Sequence, residues 1–78
     1  MKLNISQKFR QHYGLSQQDL ANICNKSRST VMNWEYNDLC PASIRFLLQE
    51  ILEQGLSTES MIFKLKQVFD KHVDTKSV

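Results

Sequence analysis

The sequence has few residues that break a helix. Its 78 residues include two glycines, Gly14 and Gly55, and one proline, Pro41. No stretch alternates apolar and polar residues in the two-residue period of a half-buried strand. Apolar residues instead recur at spacings of three and four along most of the chain, which predicts an all-α fold. No apolar run approaches the roughly 18 residues of a membrane span, and none resembles a signal-peptide core. We therefore expect a cytoplasmic protein without a membrane partner. Cysteine is scarce too. Cys24 and Cys40 make no C-x-x-C pair and join no metal-ligand cluster, so both are expected as reduced thiols, Cys24 in the core. There is no nucleophile–base pair, paired-carboxylate site or phosphate-binding glycine loop, and His12 stands without a Cys, Asp or Glu constellation. These absences argue against an enzyme, a metal and a cofactor. No small-molecule ligand is expected. Seventy-eight residues make a single small domain, 1–78, with a modest core that oligomerisation often reinforces.

What is present is a series of short, well-punctuated helices. Asn4 is placed to cap a helix over 5–13, with Ile5 and Phe9 facing inward and Gly14 closing it. Ser16 is a second N-cap, and Asp19 stands where a capping box wants an acceptor. Leu20, Ala21 and Cys24 then share one face. Asn25 is a residue type that accepts a left-handed backbone, and Ser27 restarts the chain as a third cap. Val31 and Trp34 make the buried side of the next helix, while Arg28, Ser29, Met32 and Asn33 make its outer side. Asn37 and Asp38 favour a turn, and Pro41 suits the first position of a helix over 42–54. The apolar stripe there is Ile44, Leu47, Leu48, Ile51 and Leu52, with Phe46 off it and Gly55 at its end. Ser57 caps a fifth helix over 57–73. Met61, Ile62, Leu65, Val68 and Phe69, with His72 or Val73, form its stripe, which either completes the core or serves a dimer. Residues 74–78 read as a frayed tail.

The stretch 16–36 resembles the helix-turn-helix of the phage-repressor/Cro family, the Xre-type regulators. The resemblance rests on Gln17 opening the first helix, Leu20-Ala21, apolar or small residues at Cys24, Val31 and Trp34, and Glu35 after the last. It covers roughly residues 5–52. Asn25 replaces the family's usual turn glycine, and Lys26 replaces an apolar residue. The resemblance implies a five-helix, lambda-repressor-like domain: four helices over 5–54, of which the second and third form the motif, and a fifth that is a candidate dimerisation element. It also implies an Arg10–Glu35 pair bracing the first helix against the third.

A protein of this kind is expected to bind double-stranded DNA through the major groove. Arg28, Ser29, Thr30, Met32 and Asn33 are the candidate base-reading residues, since their side chains can meet base edges or a thymine methyl. Ser16, Gln17, Lys26, Ser27, Tyr36, Asn37 and Arg45 are the candidate phosphate contacts. The basic excess lies in the same half. Up to Arg45, six basic residues (Lys2, Lys8, Arg10, Lys26, Arg28, Arg45) stand against Asp19, Glu35 and Asp38, whereas beyond it four lysines face five acids. One helix reads too few base pairs for useful specificity, so a homodimer on a palindromic operator is expected, acting as a repressor or autorepressor. The alternative is an antitoxin-like module that sequesters a protein partner and also binds DNA.

Overall fold

The computed structural model describes the backbone of residues 3–77 and the side chains of residues 3–69. Among these the chain is entirely helical, in the order α1 Ile5–Tyr13, α2 Gln17–Ile23, α3 Arg28–Tyr36, α4 Ala42–Gln54 and α5 Thr58–Ser77. None of the described helices is long and apolar enough to cross a membrane.

Local chemistry sets the helix ends. Asn4 and Gln7 form a reciprocal capping box at α1, as do Ser16 and Asp19 at α2, each satisfying backbone N–H groups that the first turn leaves without a partner. The Ser27 hydroxyl accepts the Thr30 N–H at α3. Gly14 and Gly55 close α1 and α4 in the left-handed conformation, with φ of 65° and 64°. Asn25, at φ 56°, makes the same turn between α2 and α3 without a glycine. Pro41 departs from expectation. It stands one position earlier, as the N-cap of α4 with ψ 147°, and no side chain caps that helix. The fifth helix continues to Ser77, across the residues expected as a frayed tail. No glycine or proline interrupts the chain after Gly55, so nothing in the backbone stops it.

The helices pack α2 on α3, α1 on α4 and α3, and α2 on α5. Phe9, Leu20, Ala21, Cys24, Val31, Leu48, Ile51, Met61 and Leu65 are fully buried between them. Each of the larger side chains contributes roughly 1.5–3 kcal/mol of transfer free energy. Ala21 has no side-chain bulk to hold α2 away from α3. This packing gives most of the α5 stripe to the core, one of the two uses the sequence left open. Met61, Leu65 and Phe69, proposed for a dimer contact, belong to the core of the chain itself; Ile62 is half-buried and only Val68 of that group is exposed. Met61, Leu65 and Phe69 thus join the residues of the first four helices in one core. His72 and Val73 lie outside the residues with described side chains.

Two side chains make α1 a strut. The Asn4 side-chain amide donates to the carbonyls of Trp34 and Glu35, at 3.1 and 2.7 Å, so one residue caps the start of α1 and the end of α3. Tyr13 donates its hydroxyl to the Leu56 carbonyl at 2.8 Å, in the turn before α5. The Ser6 hydroxyl, by contrast, is fully buried, and its only polar neighbour among the described residues is the weakly bonding Cys40 thiol. A buried hydroxyl without a partner costs about 1–3 kcal/mol. Ser6→Ala should therefore leave stability unchanged or raise it by up to about 1 kcal/mol, read from the urea midpoint.

Both cysteines are free and buried. Burial pushes the Cys24 thiol up to about 12, with Cys40 acting in the same direction and Lys26 against it. Burial also raises Cys40, opposed by the Ser6 hydroxyl and Arg45, and raises Tyr13. The unfolded chain releases thiol protons from about pH 8.5, whereas the folded chain holds them. Stability should thus be fully present below that pH and decline as pH rises towards 12, by up to about 1.4 kcal/mol per pH unit for Cys24, with Cys40 acting in the same direction. Urea titrations at pH 7 and 10.5 would show it. A flat profile across that range would mean that the thiols ionise in the folded state as freely as in the unfolded chain.

Candidate nucleic-acid interface

The α3 helix presents two unlike sides. Val31 and Trp34 point into the core. Arg28, Ser29 and Asn33 are exposed on the other side, Thr30 and Met32 are half-buried, and none of these five is part of the core. The first turn of α3 is held by Ser27, whose hydroxyl lies 3.2 Å from the Thr30 N–H and 3.0 Å from the Thr30 hydroxyl. Ser27 and Thr30 thus spend their hydroxyls on each other and on the cap. Arg28 and Ser29, one and two positions into the helix, are left facing solvent, and Arg28 has no ion partner among the described residues. Lower on the same helix, the Asn37 amide donates to Asn33 Oδ1 at 3.0 Å. That contact steadies the Asn33 amide and leaves its N–H₂ group free to donate.

Glu35 sits beneath this surface and anchors it. Its side chain is only 1% exposed. Arg10 donates through Nε to Oε2 at 2.7 Å and through Nη2 to Oε1 at 3.1 Å, a two-pronged pair. Gln17 adds its amide to Oε1 at 3.1 Å. Hydrogen bonding to Glu35 raises the pKa of the Arg10 guanidinium above its ordinary value. The third donor group of Arg10 reaches the Leu15 carbonyl at 3.1 Å, just beyond the end of α1. One buried carboxylate therefore joins α1, the start of α2 and the end of α3.

Above it lies an open, polar depression lined by Arg10, Ser16, Gln17, Gln18, Arg28 and Tyr36. Five of these are residues singled out in the sequence, brought together from three helices. No carboxylate lines the depression. The charge of Arg10 is offset by Glu35, so Arg28 supplies the free positive charge. Gln18 is the addition. It is exposed, donates to Asn22 at 3.0 Å, and carries no sequence signal beyond being the polar neighbour of Gln17.

The other candidates lie elsewhere or are already engaged. The Ser16 hydroxyl accepts the Asp19 N–H and its own N–H donates to the Asp19 carboxylate, so Ser16 is committed to its cap. The Gln17 side chain is committed to Glu35. Lys26 places its ammonium 5.8 Å from the centre of the Phe69 ring on α5, using its charge against an aromatic face of the core. Arg45 belongs to a separate depression with Ile5, Ala42, Phe46 and Gln49. Asn37 is exposed beside Asn33, and Tyr36 is 68% exposed at the rim. Among the described residues no group of His, Cys, Asp and Glu is placed to hold a metal ion.

An exposed helix edge with an arginine at its first turn, hydroxyl and amide groups beside it, and an open rather than enclosed surface suits a large polar ligand better than a small one. Comparison with family models, curated proteins and solved structures finds no match to this chain.

Proposed function

We propose that the chain is a sequence-specific DNA-binding regulator of the phage-repressor/Cro kind, with α2 and α3 as its helix-turn-helix. One observation carries this reading. Arg28 and Ser29 on the outer edge of α3 are exposed and make no side-chain hydrogen bond, while the inner edge is fixed at both ends, by Ser27 at the start and by Asn4, Arg10 and Gln17 acting on the end. A helix held in that way projects a constant set of donors and acceptors, which is what reading base edges requires. Arg28 would pair with guanine O6 and N7. Asn33 would pair with adenine N6 and N7, its amide steadied by Asn37. Ser29 would reach a base edge or the adjoining phosphate, and Met32 would rest against a thymine methyl. Tyr36 and Asn37, at the end of α3, would lie against the sugar-phosphate chain.

A homodimer on a palindromic site would present two such helices to half-sites about 34 Å apart. Such a protein would act by occupying DNA over a promoter, as a repressor or autorepressor. Selection of binding sites from random duplexes, at two salt concentrations, tests the proposal. A palindromic motif should be enriched at both. Retention of duplexes with no enriched sequence would leave only non-specific binding and overturn it.

A further inference from the structure

The apolar stripe of α4 leaves one large side chain out. Leu48 and Ile51 are fully buried, whereas Phe46 is 78% exposed, more than any other large apolar residue among those described. One exposed phenylalanine would be ordinary. This one stands between two open depressions and lines both. Ser43, Leu47, Gln49, Glu50 and Glu53 line the first with it; Ile5, Ala42, Arg45 and Gln49 line the second. Glu50 and Glu53 follow Phe46 at four and seven residues, so the aromatic ring and both carboxylates share one outward face of the helix. Both carboxylates have capacity to spare. Glu50 meets Lys64 only at 3.5 Å, and its side chain is 57% exposed. Glu53 accepts the Gln49 amide at 3.1 Å and has no ion partner among the described residues.

We propose that this face of α4 docks a basic amphipathic helix of a different protein. An apolar side chain of that helix packs on the Phe46 ring, beside the exposed part of Leu47. Lysines or arginines one and two turns along it reach Glu50 and Glu53. Other occupants complement the face less well. The phosphates of a duplex would meet two carboxylates. A second copy would bring no cation, because Glu50 and Glu53 are the only charged residues lining this flank of Phe46. The flank shares no residue with the depression beside α3, so docking here does not depend on the function proposed for α3. With one aromatic anchor and two exposed carboxylates, the contact is specific and of modest affinity.

Selection from a display library of short random peptides against the immobilised full chain tests this, with circular dichroism confirming that each variant folds. Enriched peptides should share an apolar residue with lysine or arginine one and two helical turns from it. Binding of the strongest peptide, read by fluorescence anisotropy, should weaken at least about tenfold in Phe46→Ser. Glu50→Gln/Glu53→Gln should weaken it roughly three- to tenfold, and by less at about 1 M salt, where the charges are already screened. No enriched sequence, enriched peptides without basic residues, or equal binding to Phe46→Ser would each overturn the proposal. A Phe46→Ser variant that loses self-association in sedimentation, or affinity for random duplexes, would give the face to a second copy or to DNA and would overturn it as well.

Discussion

Replacing Arg10 by alanine should lower the unfolding free energy by about 3 kcal/mol, among the largest effects of any single polar substitution in the chain. The reason is what remains. Glu35, 1% exposed, would keep one neutral donor, Gln17, and lose both charged ones. A buried carboxylate without its cation carries a desolvation cost that the pair had offset. The Leu15 carbonyl would also lose its donor. For a domain of this size the melting temperature should drop by roughly 12–24 °C. Arg10→Lys should recover part of the loss, because an ammonium restores the charge but not the two-pronged geometry. The double variant Arg10→Met/Glu35→Leu should recover most of it, since replacing both partners removes the stranded charge. Urea titration reads all three. A loss under about 0.5 kcal/mol for Arg10→Ala would show that solvent reaches Glu35 and screens it.

Arg28→Ala should do the opposite: little to stability and much to recognition. The residue is exposed and touches no core group, so its loss should change the unfolding free energy by less than about 0.5 kcal/mol. On the proposed function, each half-site would lose a bidentate contact worth about 1–3 kcal/mol of discrimination, and a dimer loses it twice. Site selection with the variant should return a motif degenerate at one position in each half-site and otherwise unchanged. If affinity fell equally for all sequences, and the salt dependence became shallower, Arg28 would be a phosphate contact.

The contrast between these two arginines shows what the sequence made legible. Features set within four or five residues were readable. Asn4, Ser16, Ser27, Gly14, Gly55 and the left-handed Asn25 occupy the turns and caps that their chemistry favours. Buried stripes were readable where one face is wanted, as with Leu48 and Ile51 of α4. Contacts across the chain were not. Arg10 and Glu35 lie 25 residues apart, and only the family resemblance joined them. The bonds from Asn4 to the end of α3 and from Tyr13 to Leu56 carry no local signal, because any polar residue near a helix end could have made them. The stripe of α5 showed its period but not its partner, since an apolar face looks the same whether it meets its own core or another molecule. Phe63, off that stripe, carries no local signal of its exposure. Lys26 stands where the motif suggests a stem over the core edge and an ammonium towards phosphate, and the ring that the ammonium meets, Phe69, is 43 residues away.

The division of α3 into a fixed inner edge and an idle outer edge has a consequence for how such a protein diverges. Arg28 and Ser29 hold up nothing and Asn33 touches only Asn37, so exchanges among them leave folding intact and pass through selection on stability unseen. Val31, Trp34 and Glu35 are under the contrary pressure. On the proposed function, a lineage built on this frame could thus acquire new target sequences one substitution at a time, without first having to become more stable. Two copies of the gene need only part company at a few codons to stop answering to the same site.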